Sequence, residues 1–134
     1  MDRRVLVVDD DAGVAFALSR FLGGQGFFVK LASSAERGLQ LIAQETFDLI
    51  VLDLRLPGMT GEEALARLHR THPEIPVIVA TAHGGPETEV ATRRAGAYAH
   101  VLKPFVSAQL LDLVKNAVGV RRCRARGLAA DATP

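Results

Sequence analysis

The sequence predicts an α/β fold with five parallel strands in the order 2-1-3-4-5 and helices on both faces of the sheet. Short runs of apolar, often β-branched residues alternate along the chain with amphipathic segments of helical periodicity. The connections between these segments are short, which favours right-handed crossovers between parallel strands. Ligands of such sheets bind at the carboxyl ends of the strands, where the strand order reverses.

Five segments have the composition of strands. Those at residues 4–8, 49–54 and 77–81 are almost entirely apolar, as expected of strands covered on both faces. The remaining two strands are predicted at residues 27–31 and 98–102. Five strands in a doubly wound sheet place the reversal between the first and the third, so the site is expected there.

Five helices are predicted between and after the strands. Four have a clear apolar stripe, formed by Val14, Leu18, Phe21 and Leu22, by Leu39, Ile42 and Ala43, by Ala64, Leu65 and Leu68, and by Leu110, Leu113, Val114, Ala117 and Val118. The helix near residues 86–95 has the weakest stripe. Ser33 with Glu36, and Thr60 with Glu63, have the spacing of capping boxes and predict two helix starts.

Length and composition indicate one globular domain over residues 1–120 and a basic tail or poorly ordered linker over residues 121–134. The formal net charge is +1, but the arginines of RRCRAR lie in the tail and the first 120 residues are mildly acidic. This charge pattern gives no footprint for nucleic acid on the domain. The tail could contact nucleic acid or simply continue the last helix.

No apolar run approaches the roughly 20 residues that cross a membrane, so no membrane association is expected. The acidic start of the chain differs from a signal peptide. Cys123 is the single cysteine, which permits no disulfide within the chain. These features predict a reducing, cytoplasmic setting.

Polar residues gather at the carboxyl ends of four predicted strands. They are Asp9, Asp10 and Asp11 after the first strand, Asp53 in the third, Thr81 at the end of the fourth and Lys103 after the fifth. Taken singly, each has an ordinary structural explanation, and Asp11 in particular is expected to cap a helix. Taken together, they fall where the fold predicts a site.

The chemistry of this set favours phosphoryl transfer. Clustered carboxylates either have raised pKa values or hold a cation, and an oxygen-only donor set favours Mg²⁺. A carboxylate beside a bound metal can attack phosphorus, while Lys103 and the Thr81 hydroxyl could stabilise the equatorial oxygens. No Walker-type loop or GxGxxG is present, so the phosphoryl donor must come from outside.

Four blocks, VLVVDDD, IVLDLRLPGMTG, VIVATAH and HVLKPF, closely resemble the receiver domain of two-component response regulators over roughly residues 3–119. The resemblance implies the flavodoxin-like (βα)5 fold of chemotaxis regulators. It makes Asp53 the phospho-acceptor, phosphorylated by a sensor histidine kinase or a histidine phosphotransfer protein. Asp10, Asp53 and the Arg55 backbone carbonyl would bind Mg²⁺, with Asp9 assisting through water.

By the same resemblance, Lys103 pairs with the phosphoryl group and Thr81 turns inward to it, and the bond from Lys103 to Pro104 is cis. Phosphorylation would then shift a surface formed by the fourth helix, fifth strand and fifth helix, through which homodimers could form. His100 stands where the family commonly has an aromatic switch residue. It is either a tolerated polar substitute or the moving residue itself.

Arg55 and His83 occupy the two positions that tune the lifetime of the phosphoryl group in the family. Their side chains could shield the acyl phosphate from water, so we expect slow self-dephosphorylation. The leading function is thus a regulatory phospho-acceptor domain rather than an enzyme.

Its output is expected in transcription regulation, since LRLPGMTG and TAHGG resemble receivers fused to enhancer-binding activators. The effector is either a domain missing from this chain or a separate partner. Two alternatives stay open: a small Mg²⁺-dependent phosphohydrolase that uses an aspartyl-phosphate, and a stand-alone interaction module.

Overall fold

The architecture was examined in a computed structural model, which describes residues 3–82, 86–103 and 107–125. Strands and helices alternate as β1 (Arg3–Val8), α1 (Ala12–Gly24), β2 (Phe27–Ala32), α2 (Ala35–Gln44), β3 (Leu49–Leu52), α3 (Gly61–Thr71), β4 (Val77–Thr81), α4 (Pro86–Arg94), β5 (Ala99–Leu102) and α5 (Ser107–Ala125). The strands form one parallel sheet in the order β2-β1-β3-β4-β5. The predicted fold class and strand order are confirmed.

The sheet separates two apolar cores. Residues of α1 and α5 pack with one set of alternating strand positions, while α2 and α3 pack with the other set. Both faces of β1, β3 and β4 are therefore covered, which explains why their sequences are almost continuously apolar. Ala95, just after α4, packs against the α2–α3 core, so the weakly amphipathic fourth helix lies near that face.

Two helix starts follow the predicted chemistry. Asp11 caps α1, because its side chain accepts hydrogen bonds from the backbone N–H groups of Gly13 and Val14. Thr60 caps α3, where its hydroxyl accepts from the Glu63 N–H. These caps fix where each helix leaves the carboxyl edge of the sheet.

The predicted capping box of Ser33 with Glu36 is wrong. Ser34 is the cap of α2, and its hydroxyl accepts from the Arg37 N–H. Glu36 is therefore at the second helical position, whereas a capping box requires the glutamate at the third. The Glu36 carboxylate instead accepts a hydrogen bond from the Met59 N–H at 3.1 Å.

The last helix extends further than expected. Helix α5 ends at Ala125, so the predicted domain boundary at residue 120 lies within a helix. The start of the basic run thus continues α5, which is the simpler of the two interpretations of the tail. The division into a domain and a tail stays a prediction, and residues 126–134 lie outside the described residues. Within the described ranges, no helix is both long and apolar enough to span a bilayer.

Candidate functional site

The site is built by residues that continue the strands beyond their carboxyl ends. Asp9 follows β1 and donates its N–H to the Ala32 carbonyl at 3.0 Å. Asp53 follows β3 and donates to the Val8 carbonyl at 2.9 Å. These bonds extend the parallel ladders by one step and so fix the height of each carboxylate at the sheet edge.

The positively charged residue of the site, Lys103, comes from the β4–β5 side of the sheet. Lys103 follows β5, and its N–H donates to the carbonyl of Thr81, the last residue of β4, at 2.8 Å. Lys103 Nζ lies 2.5 Å from Asp9 Oδ2 and 3.5 Å from Asp53 Oδ2. The lysine therefore bridges two carboxylates from β1 and β3 across the strand-order reversal.

Asp9 is more firmly held than the sequence indicated. It is only 5 % exposed, and its second oxygen, Oδ1, accepts the Asp11 N–H at 2.9 Å. Both oxygens are thus engaged within the chain, one by a backbone N–H and one by Lys103. The sequence predicted Lys103 as a partner of the phosphoryl group but did not predict its short contact with Asp9.

Asp53 lies in an environment that penalises its charge. Burial raises the pKa of Asp53, and the neighbouring negative charge of Asp9 raises it further. The Arg55 N–H, 3.2 Å from Oδ1, and the Lys103 ammonium act in the opposite direction without cancelling the rise. The negative charge of Asp53 is therefore only partly compensated by its neighbours, and an additional cation would stabilise it.

Lys103 stays a cation despite its partial burial. Burial alone would lower the pKa of Lys103, but the hydrogen bond to Asp9 and the Coulombic attraction of Asp53 and Asp9 raise it overall. A protonated amine is consequently held beside the oxygens of Asp53. This arrangement suits a centre in which negative charge develops on an incoming group.

Three carboxylates form a group that could hold a metal ion. One oxygen from each of Asp9, Asp10 and Asp53 lies within 4.8 Å of the others. Asp10 is exposed, whereas Asp9 and Asp53 are buried, so the cluster opens to solvent on one side. A donor set made only of oxygens fits Mg²⁺, which keeps several water ligands. The residues present therefore fit the metal that the sequence predicted.

Thr81 and His100 lie on the same face of the sheet. Val79 pairs with His100 and Thr81 pairs with Leu102, and register partners in a parallel pair share a face. The Thr81 residue is fully buried. His100 is half-buried, and its Nε2 atom is buried without a hydrogen-bond partner among the described residues.

Similarity to known proteins shows to which family the chain belongs. The sequence profile of the response regulator receiver domain matches residues 5–115. The chain belongs to this family. It is 38 % identical over 122 residues to the response regulator protein FleR of Pseudomonas aeruginosa, covering 89 % of the chain and 25 % of FleR.

A second relative and a solved structure agree. The DNA-binding transcriptional regulator NtrC of Escherichia coli is 34 % identical over 85 % of the chain and 24 % of NtrC. The receiver domain protein (CheY-like) of Methanospirillum hungatei has a TM-score of 0.88 and 31 % identity, with 92 % of this chain and 99 % of that chain covered. The chain spans about a quarter of the length of FleR and NtrC.

In this receiver domain, Arg55 lies beside the carboxylate cluster but points into solvent. Its side chain is exposed and lines an open cleft of about 370 Å³ together with Glu62 and Thr88. The Arg55 backbone N–H contacts Asp53 Oδ1 at 3.2 Å. His83, the other residue predicted to tune phosphoryl lifetime, and Pro104, predicted to follow a cis bond, lie outside the described residues.

One contact beside the site, made by Glu36, was not predicted from the sequence. Glu36 comes from α2, yet its carboxylate contacts Met59 in the connection between Asp53 and α3. The sequence did not indicate this contact, because either of the two consecutive serines before α2 could cap the helix. Because Ser34 rather than Ser33 is the cap of α2, Glu36 takes no part in a capping box and its side chain is available for this contact.

Proposed function

We propose that Asp53 accepts a phosphoryl group from a phosphohistidine of a sensor histidine kinase or a histidine phosphotransfer protein. The observation that carries the proposal is the contact of Asp53 with Lys103, within the carboxylate cluster at the strand-order reversal. An Asp53 oxygen attacks phosphorus, the bond from phosphorus to the histidine nitrogen breaks, and that nitrogen keeps the electron pair. The product is an acyl phosphate on Asp53.

The metal would be held by Asp10, Asp53 and the backbone carbonyl of Arg55, with Asp9 assisting through water. Bound there, Mg²⁺ would neutralise the carboxylates and the phosphoryl oxygens. The grouping of Asp9, Asp10 and Asp53 oxygens within 4.8 Å of one another supports this assignment, and burial raises the pKa of Asp53, so its charged form would be stabilised by a cation. Lys103 would turn part of its interaction from Asp9 to the phosphoryl oxygens, and it stays protonated to do so.

We further propose that Thr81 and His100 transmit phosphorylation to the surface. The Thr81 hydroxyl would bond a phosphoryl oxygen, and space would open beside His100 on the same face. The Nε2 atom of His100 is buried without a partner among the described residues, which costs free energy, so His100 would gain by moving to a place where that atom meets a partner. This supports the moving role of His100 over a merely tolerated substitution.

The output surface would be the α4–β5–α5 face. Val90 of α4 and Leu102 of β5 are both about half exposed, at 49 % and 51 %. Exposed apolar side chains of this size support a contact with a second copy of the chain or with an effector domain. We propose that the effector acts in transcription regulation, as NtrC does by its name, and that the protein works in the cytoplasm.

The proposal is tested by incubating the protein with phosphoramidate, with and without Mg²⁺, and recording intact mass over time. We expect one phosphoryl group per wild-type chain, with slow loss after the donor is removed, and none on Asp53→Asn. A wild-type protein that stays unmodified with Mg²⁺ present would count against the proposal. Sustained turnover of a phosphate ester would instead favour the phosphohydrolase.

A further inference from the structure

The connection from Asp53 to α3, residues 54–60, carries Arg55 and is here called the site loop. Its base is closed by the Gly61 N–H, which donates to the Leu54 carbonyl at 3.0 Å. Near its start, the Arg55 N–H reaches Asp53 Oδ1 at 3.2 Å. The loop therefore supplies a direct contact to the acceptor carboxylate as well as the carbonyl assigned to the metal.

The tip of the site loop is held by a different element. The Met59 N–H donates to Glu36 Oε2 at 3.1 Å, across 23 residues of sequence. Gly58 beside it has φ +78, a conformation that favours glycine. A Cβ atom on Gly58 would lie 2.7 Å from Glu36 Oε2. The tip thus passes against the Glu36 carboxylate, which would have to shift to admit a side chain at Gly58.

Glu36 is suited to this contact by its place in α2. It lies in the first turn, where a carboxylate is favoured by the helix dipole. Its side chain serves no capping box, because Ser34 is the cap. Hydrogen bonds from its own backbone N–H and from Met59 lower the pKa of Glu36, so it accepts as a carboxylate at neutral pH.

We propose that Glu36 is a positioning residue for the phosphorylation site. By holding the Met59 end of the site loop against α2, it keeps the Arg55 segment where its N–H meets Asp53 and where its carbonyl would bind the metal. Glu36 acts only through the backbone of the loop and touches no reacting atom. The inference rests on the proposed function, since it concerns the metal and the acceptor of that site.

The test compares Glu36→Ala, which removes the acceptor, with Glu36→Gln, which keeps a carbonyl acceptor and removes the charge. Glu87→Ala is the matched control, an exposed acid lost from the first turn of α4. Exchange of the Met59 amide is measured by NMR, and Mg²⁺ affinity by titration of the same samples. The amide measurement needs no metal and reports the contact directly.

We expect Glu36→Ala to speed exchange of the Met59 amide and to raise the Kd for Mg²⁺ roughly tenfold, the lower end of what loss of an outer-shell support costs. Glu36→Gln should restore both to near the wild-type values, and Glu87→Ala should leave both unchanged. A merely stabilising role for Glu36 would lower the melting temperature without moving the Kd.

Two outcomes overturn the inference in a protein that binds Mg²⁺: an unchanged Kd in Glu36→Ala, or an equal rise in Glu36→Ala and Glu36→Gln. The equal rise would mean that only the charge matters. Failure of the proposed function has a different signature, namely that the wild-type protein itself binds no Mg²⁺ and takes up no phosphoryl group.

Discussion

At the scale of single residues, Asp53 combines burial with incomplete compensation. Its raised pKa means that the charged form is less favourable in the folded chain than in the unfolded one. The resulting loss of stability is fully present above the raised folded pKa and is relieved as the pH falls through that value towards the unfolded pKa. Asp53 therefore costs the domain stability at neutral pH.

This leads to a prediction for Asp53→Asn. In metal-free buffer at neutral pH, the melting temperature should rise relative to wild type, because a desolvated charge beside Asp9 is removed. Mg²⁺ at roughly ten times its Kd should stabilise wild type by about 1.4 kcal/mol. That gain should be largely absent from Asp53→Asn. Thermal unfolding with and without Mg²⁺ checks both statements, and equal metal stabilisation of the two proteins would refute them.

Arg55 carries a second prediction at this scale. Arg55 contacts Asp53 through its backbone N–H, and its exposed side chain could shield an acyl phosphate there from water. We expect Arg55→Asn to shorten the phosphoryl half-life several-fold, measured by loss of the phosphorylated mass after the donor is removed. Arg67→Asn, an exposed arginine of α3, is the control. An unchanged half-life in Arg55→Asn would remove the shielding role.

At the scale of elements, Gly61 is the point where α3 meets the carboxyl edge of the sheet. A Cβ atom there would lie 2.4 Å from the Asp53 carbonyl oxygen and from Leu54 Cα, both backbone atoms that cannot move aside easily. Gly23 in α1, by contrast, has no atom within 4 Å of an added Cβ. The two glycines therefore form a matched pair.

We predict that Gly61→Ala destabilises the domain by about 2 kcal/mol or more and slows phosphorylation of Asp53. Gly23→Ala should be neutral or stabilise by about 0.5 kcal/mol, because the unfolded chain loses entropy. Urea unfolding and phosphorylation rates measure the difference. Equal stability of the two variants would show that the close approach at Gly61 is not a constraint.

Away from the carboxyl ends of the strands, a cluster of charged residues forms around Glu45. Its carboxylate contacts Lys30 of β2 at 2.7 Å and the Arg4 guanidinium of β1. Arg4 also donates to the Thr46 carbonyl and stacks over the Phe47 ring. This cluster connects β1, β2 and the α2–β3 connection, away from the carboxylate cluster of Asp9, Asp10 and Asp53.

The hydrogen bond from Lys30, with the charges of Lys30 and Arg4, lowers the pKa of Glu45 from its ordinary value of 4.5. The stability it adds is present above the unfolded pKa and is lost as the pH falls through the lower folded value. We predict that Glu45→Gln lowers stability at neutral pH and removes part of this acid dependence. Denaturant unfolding across acidic pH checks this, with Glu87→Gln as the control. Parallel pH profiles of wild type and Glu45→Gln would contradict it.

At the scale of the whole molecule, the sequence predicted the fold because its patterns are redundant. Continuous apolar runs at β1, β3 and β4 require cover on both faces, and the regular alternation of elements leaves few topologies. The carboxylate cluster could be predicted for the same reason, because the topology alone brings the ends of β1 and β3 together. The order of the elements determines which strand ends lie next to one another, whereas it does not determine the contacts between side chains.

The contacts that the sequence did not reveal depend on differences of about one ångström in distance or of one residue in position. The preference of Lys103 for Asp9 over Asp53 is a difference between 2.5 and 3.5 Å. The role of Glu36 depends on which of two adjacent serines caps α2. The end of α5 at Ala125 follows from helix propagation into a segment that has no apolar periodicity to reveal it.

The central claim is that Asp53 forms the acyl phosphate, and the most direct measurement is the position of the phosphoryl group. The protein is phosphorylated with phosphoramidate and Mg²⁺, reduced with borohydride to convert the acyl phosphate to an alcohol, and mapped by peptide mass spectrometry. We expect a reduced side chain at Asp53 alone, and none in Asp53→Asn. Modification at Asp9 or Asp10, or undiminished labelling of Asp53→Asn, would contradict it.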